Sequence, residues 1–337
     1  MFCLFELSKD HYSLPISEVI SVLNAENIYY DIIESNLDII LIGTNLENNL
    51  LNRISKRLSY TFFVDEFLFS CSTDFDEIKD NAKKMPIKRS GSIAVRCKNR
   101  SKKVDSQKVI RLLAEVYTKD RQVNLNNPDI EIRVLITNKK VYVGTKKFEI
   151  DKSDFEKRKV QFRPFFSPIS LHPKLAKALV NLSEVSRDGI LLDPFCGTGG
   201  ILLEAGIIGV NVIGSDIENK MIDGCKKTLD HYNIKNYDLY CSDIGKIDQF
   251  VKNVDSVVTD LPYGKSTTTK GEDMDQLYQR TFQMINKVLK KGSKAVIGLP
   301  NKQSIYQGQK YLTLLETHEI KVHRSLTRYF SVFEKEP

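Results

Sequence analysis

The chain has 337 residues, 41% hydrophobic and 28% charged, with no apolar run near the eighteen or so residues that a membrane span needs. Six scattered cysteines (Cys3, Cys71, Cys97, Cys196, Cys225, Cys241) form no CxxC and no Cys/His cluster, so neither a disulfide framework nor a metal site is expected. The net charge of +7 is uneven: residues 1–78 hold 4 Lys+Arg against 13 Asp+Glu, 79–163 hold 24 against 10, and 166–337 hold 22 against 20. Such a basic block calls for a polyanionic partner, most simply nucleic acid. The N-terminus MFCLFELSKD lacks the basic region and the long apolar stretch of a secretory signal, so a cytoplasmic protein is expected.

In chain order, FCLFEL, ISEVISVLNAEN, YYDIIES, LDIILIGT and LENNLLNRISKRL predict a small β-α-β-β-α unit. YTFFVDEFLFSC and DFDEIKDNAKKM read as strand and helix, and GSIAVRCKN as a strand carrying Arg96 and Lys98. DSQKVIRLLAEVYTKD places Val109, Leu112, Leu113 and Val116 at helical spacing, with Asp105 or Ser106 as the cap. IEIRVLITNKKVYVGTKKF is a hairpin turning at TNKK, and a charged linker follows to residue 165.

From residue 166 strands and helices alternate, which predicts a doubly wound, mostly parallel α/β sheet ending in an antiparallel hairpin, EIKVHRSLTRYFSVFEK. Such sheets bind ligands beyond the carboxyl ends of their strands. The first end is LLDPFCGTGG, where Asp193 precedes glycines 197, 199 and 200 and a helix. Glycines let a ligand approach the backbone, and the helix offers free N–H groups. The spacing is not GxGxxG, which counts against a dinucleotide. The second end, GSDI, puts Asp216 where a carboxylate accepts two ribose hydroxyls; alone it does not separate NAD from S-adenosylmethionine. The third, CSDI, puts Asp243 where it reads an adenine amino group or caps the next helix.

The fourth end is TDLPYG. Exocyclic amines conjugate with their rings and are poor nucleophiles. Acceptors that take up their N–H groups free the lone pair, and the Asp260 carboxylate and the Leu261 carbonyl are such acceptors. Pro262 stiffens the turn, and Tyr263 offers a stacking face for an extruded base. Cys196 has no activating partner nearby in sequence and is not read as a nucleophile. The GKSTTTKGED segment that follows is a candidate lid over the substrate or a plain loop.

Residues 60–148, through GSIAVRCKNRSKKVDSQKV and EIRVLITNKKVYVGTK, resemble the THUMP domain of tRNA-modifying enzymes. The acidic first unit resembles the ferredoxin-like piece that precedes it. DPFCGTGG, GSDI, CSDI and DLPYG resemble the motifs of Rossmann-like amino-methyltransferases, whose signature is D/N/S-P-P-Y/F/W. Together they resemble the archaeal-type THUMP methyltransferases that act on N2 of guanosine ten of tRNA. That resemblance implies four parts: a ferredoxin-like unit (1–55), a THUMP domain (56–148), a linker (149–165) and a methyltransferase domain (166–337). It implies S-adenosylmethionine as cofactor, held by Asp193, Pro194, Cys196, Gly197, Gly199, Asp216, Ile217, Asp243, Ile244 and Asp260. It makes Asp260, Leu261, Pro262 and Tyr263 the catalytic turn. It assigns tRNA phosphates to Arg96, Lys98, Arg100, Lys102, Lys103, Lys146, Lys147, Arg158, Lys159 and Arg163. His172 is expected to cap a helix. Leu261 departs from the pattern, standing where the first proline would stiffen the turn.

A monomer without membrane contact is expected, with room for a small accessory subunit. The rivals are a methyltransferase of another tRNA guanosine or of rRNA, a dehydrogenase, and an RNA-binding protein with a decayed catalytic domain. The intact glycines and Asp260 count against the last.

Overall fold

The computed structural model describes residues 1–167, 170–262, 273–323 and 326–337. Two compact units form: residues 1–16, 28–55 and 61–150 make the first, and 17–27, 56–60 and 151–337 the second.

The elements to residue 150 are β1 (Phe2–Leu7), α1 (Leu14–Ala25), β2 (Tyr30–Ser35), β3 (Ile39–Thr44), α2 (Asn48–Arg57), β4 (Thr61–Cys71), α3 (Phe75–Lys84), β5 (Ile93–Asn99), α4 (Ser106–Tyr117), β6 (Ile130–Ile136) and β7 (Val141–Glu149). The first unit is built on one seven-stranded sheet, ordered β2-β3-β1-β4-β7-β6-β5. The stretches expected as separate domains, 1–55 and 56–148, therefore share a sheet. The eleven-residue β4 joins them by pairing with β1 on one side and β7 on the other. Asp105 caps α4 by accepting from the Gln107 and Lys108 N–H groups. Val109, Leu113 and Tyr117 then face the core beneath Ile132, Val134 and Val143.

The second unit continues with α5 (Ser153–Lys157), α6 (Pro173–Leu182), β8 (Ile190–Asp193), α7 (Gly200–Ile207), β9 (Asn211–Asp216), α8 (Asn219–His231), β10 (Tyr237–Cys241), β11 (Val254–Asp260), α9 (Met274–Val288), β12 (Leu289–Leu299), α10 (Lys302–Gly308), β13 (Thr313–His323) and β14 (Leu326–Glu334). Its sheet runs β10-β9-β8-β11-β12-β14-β13. The first five strands are parallel, and β14 is antiparallel to both its neighbours. The expected doubly wound sheet with a terminal hairpin is what forms. Its strand order reverses between β8 and β11, where ligand crevices open in such sheets.

Three features were not foreseen. The linker contains α5 and a one-turn helix, Val160–Phe162. The helix α10 and the first half of β13 also form. Finally, Glu18 is completely buried in the second unit, accepting from Ser59 N (2.9 Å), Ser59 Oγ (2.5 Å), Tyr60 N (2.7 Å) and Asn181 Nδ2 (2.9 Å). Four donors offset the desolvation of that carboxyl, whose pKa burial still raises. This network ties residues 17–27 and 56–60 to α6. Among the described residues no helix is long and apolar enough to cross a membrane.

Candidate active site

β8 ends at Asp193, whose buried carboxyl accepts from Thr259 Oγ1 (2.7 Å) and Phe195 N (3.1 Å). Burial, with Asp216 and Asp260 nearby, pushes its pKa up to about 7. Pro194 is buried, its carbonyl accepting from Ser215 Oγ (3.2 Å). The turn that follows reaches φ +50° at Gly197 and +79° at Gly199, conformations that favour glycine. A Cβ on Gly199 would lie 2.6 Å from Cys225 Sγ, whereas one on Gly197 would meet nothing within 4 Å. The turn thus leans on α8 with no gap and leaves open space above Gly197. The Cys196 thiol sits against Cys225, and that contact with burial pushes its pKa far up, which disfavours the thiolate. β9 ends at Asp216, which accepts from Gly197 N (3.1 Å) and Glu218 N (2.9 Å). Burial raises its pKa too. Beyond it, half-buried Ile217 offers its carbonyl to the Cys241 thiol.

β11 ends at Asp260, beside β12 residue Gly298. A Cβ there would come 2.2 Å from Asp260 Oδ1. Arg328 of β14, 1% exposed, reaches the same place. Its Nη2 donates to Asp260 Oδ1, to the Leu261 carbonyl (3.0 Å) and to the Gly298 carbonyl (3.0 Å). Burial raises the Asp260 pKa, and Arg328 opposes that rise. Asp260 Oδ2 accepts from no donor among the described residues, and the side chain keeps 19% of its exposure. The Leu261 side chain is fully buried among Val257, Leu277 and Tyr278, and its N–H donates to Gly298 O (3.1 Å). The Pro262 carbonyl accepts from Tyr278 Oη (2.8 Å). Tyr263, like the rest of 263–272, lies outside the described residues.

Residues 160–329 match the family described as RMKL-like, methyltransferase domain, and residues 72–146 match the THUMP domain. A tRNA (guanine(10)-N2)-dimethyltransferase of Methanothermobacter thermautotrophicus is 33% identical over 98% of both chains. The chain belongs to this methyltransferase family. An enzyme of the same name from Methanocaldococcus jannaschii is 31% identical over 88% of the chain and 83% of its own length. The crystal structure of TrmN from Thermus thermophilus shares the fold, with a TM-score of 0.57 at 17% identity, covering 99% of this chain and all of that one.

The methyltransferase takes S-adenosylmethionine as cofactor. Its residues fit that group: open space above Gly197, and an acid at the end of β9 whose two oxygens each keep a lone pair. Asp243 is placed less freely. It caps a short 3-10 helix through Gly245 N (2.8 Å), and Arg280 grips both its oxygens (2.8 and 3.2 Å), holding its pKa down. Ile244 packs into the core with Ile247 and Val251. His172 caps α6, with Nδ1 accepting from Lys174 N.

The basic residues divide. Lys98, Lys102 and Lys103 are exposed. Arg96 is exposed too but engages Glu131 and the Leu125 carbonyl; Lys146 pairs with Glu131, Lys147 with Glu66, and Lys159 with Glu156. Three expectations are corrected. Arg100 is drawn inside between Glu6 and Asp38, 2.8 Å from each. Arg158 is bidentate on buried Glu204 (2.8 and 3.0 Å). Arg163 is 5% exposed. Guanidiniums engaged by buried carboxylates or enclosed by protein are not offered to phosphates. The clamp Arg328 escaped sequence analysis: it lies far along the chain in an alternating strand, where an arginine reads as surface.

Proposed function

We propose that this methyltransferase uses Asp260 and Leu261 to activate N2 of guanosine ten of tRNA and adds two methyl groups there. The observation that carries this is the clamped turn. Arg328 occupies Oδ1 of Asp260 and one side of the Leu261 carbonyl, leaving Oδ2 without a donor among the described residues. The names of the relatives support the tRNA position and the double methylation.

S-adenosylmethionine supplies an activated methyl group, which the Gly197 turn and Asp216 hold at the ends of β8 and β9. The chain's own residues do the rest. Exposed lysines of the THUMP segment attract the phosphates, a salt-sensitive term. The guanine leaves its stack at a cost of a few kcal/mol. Asp260 Oδ2 and the Leu261 carbonyl each take one N–H of the amine, turning its lone pair out of conjugation. With that group bound, the two acceptors would hold the nitrogen in line with the methyl, so that the nitrogen–carbon bond would form as the carbon–sulfur bond breaks. The surplus proton leaves toward Asp260, whose pKa burial has lifted from that of an exposed aspartate. A monomethylated amine keeps one N–H, so a single acceptor suffices for the second transfer. Tyr263 is assigned the stacking face.

Asp260→Ala tests this. Methyl transfer to tRNA should fall by about 10³-fold or more, with S-adenosylhomocysteine binding unchanged in calorimetry. Near wild-type turnover would remove Asp260 from the mechanism.

A further inference from the structure

The ring of Pro262 fixes only half of that residue's backbone. It locks φ and removes the N–H, but ψ is left to rotate, and ψ sets where the Pro262 carbonyl points and where the next peptide leads. The preceding residue is tied twice, through Leu261 N to Gly298 O and through Leu261 O to Arg328. Beyond it, among the described residues, the turn is held by one hydrogen bond: Tyr278 Oη donates to Pro262 O at 2.8 Å.

Filling space does not explain that hydroxyl. Tyr278 lies in the second turn of α9, 2% exposed, on the face that also buries Phe282 and Ile285. A phenylalanine would pack as well there. A buried hydroxyl costs free energy unless it finds an acceptor, and among the described residues Pro262 O is its one acceptor. Burial pushes its pKa up to about 12, so it keeps its proton and stays a donor. The helix that carries it is itself anchored. Asp273 caps its start, accepting from Asp275 N (3.0 Å) and Gln276 N (3.3 Å). One turn beyond Tyr278, Phe282 meets Phe333 edge-on with ring centroids 5.5 Å apart, and it fills the space that a Cβ on Gly308 would need, 2.6 Å away. The donor therefore stays in place when the turn moves.

We propose that Tyr278 is a positioning residue for methyl transfer: it fixes ψ of Pro262, so that Leu261 rather than Pro262 offers its carbonyl to the amine and the peptide leading into Tyr263 is aimed at the base. This rests on the assignment of the amine to Asp260 and Leu261 and of the stacking face to Tyr263. Two consecutive carbonyls stand in the turn. A rotation that brought the second one toward the substrate would compete for the same N–H, and the Tyr278 hydroxyl occupies that second carbonyl. Because the ring also packs in the cluster that buries Leu261, only changes at the hydroxyl test the proposal.

Tyr278→Phe removes the hydroxyl alone. Single-turnover methyl transfer at saturating tRNA should slow by about tenfold or more, within the roughly 10²-fold that a misplacement of about 1 Å at a reacting centre costs. S-adenosylhomocysteine affinity, tRNA affinity and melting temperature should hold. An unchanged rate would overturn the proposal. So would a rate, affinities and melting temperature that fall together, the mark of a structural role. A second variant carries difluorotyrosine in place of Tyr278, which keeps the shape and has a more acidic phenol. Its rate should fall at a pH where wild type is still level, because the ionised oxygen no longer donates. Superimposable pH profiles would overturn the proposal, even if the Tyr278→Phe chain failed to fold. Asp260→Ala separates this proposal from the reading beneath it. An active Asp260→Ala chain would sink that reading. An inactive one beside a fully active Tyr278→Phe chain would sink the role of Tyr278 alone.

Discussion

A proline at position 261 would have no hydrogen to give. In this chain the Leu261 N–H donates to the Gly298 carbonyl, its own carbonyl accepts from Arg328, and its side chain fills the core. The turn is held by these three attachments, where a D-P-P-Y turn has a second ring. Leu261→Pro should therefore destabilise the protein by about 1–3 kcal/mol: one hydrogen bond is lost, the Gly298 carbonyl keeps only Arg328 as donor, and part of a buried side chain leaves the core. Thermal unfolding and kcat measured together check this: both should drop, and a variant as stable as wild type would mean that ring rigidity substitutes for the bond. The acids Asp193, Asp216 and Asp260 were legible in the sequence because each closes an apolar run that can only be a strand. Arg328 and Arg163 were not. Nothing local distinguishes an arginine drawn to a buried carboxylate or closed in by loops from one left on the surface. Tertiary packing alone decides, and it turned three expected RNA contacts inward.

At the scale of elements, the parallel pairing of β11 with β12 places Gly298 opposite Asp260. Only a residue without a side chain leaves room for the carboxylate there. Gly298→Ala would bring a carbon to 2.2 Å from Oδ1, so either the carboxylate or the strand end must shift. Displacements of this size at a reacting centre cost up to about 10²-fold in rate. kcat should fall accordingly, while S-adenosylhomocysteine affinity holds; a fall in affinity with kcat intact would place Gly298 in cofactor binding. The strand–helix alternation was readable because β8, β11 and the end of β12 are apolar on both faces, as strands covered by helices must be. The short helices α5 and α10 carry too few residues to show a period. The first half of β13, with Glu316, Thr317 and His318 among its apolar residues, masks its alternation.

On the scale of the whole molecule, the excess of positive charge in residues 79–163 is smaller in effect than its count. Arg100, Arg133 and Arg158 neutralise buried carboxylates, and Lys146 and Lys147 are paired at the surface. Lys98, Lys102 and Lys103 remain exposed. Reversing Lys102 and Lys103 to glutamate should raise the KM for tRNA about tenfold at low salt, leave kcat unchanged, and lose its effect as salt rises. An unchanged KM would take those two residues off the binding surface. Charge was legible in the sequence; its distribution between inside and outside was not.

The clamp on Asp260 has a consequence in time. The glycine turn, Asp216 and Asp260 are all synthesised before β14, and Arg328 stands at residue 328 of 337. During translation the nascent chain holds every acid of the site but cannot clamp the Asp260 turn until β14 has left the ribosome. A messenger truncated ahead of the codons for β14 would direct a protein with Asp193, Asp216 and Asp260 and without the group that holds Asp260.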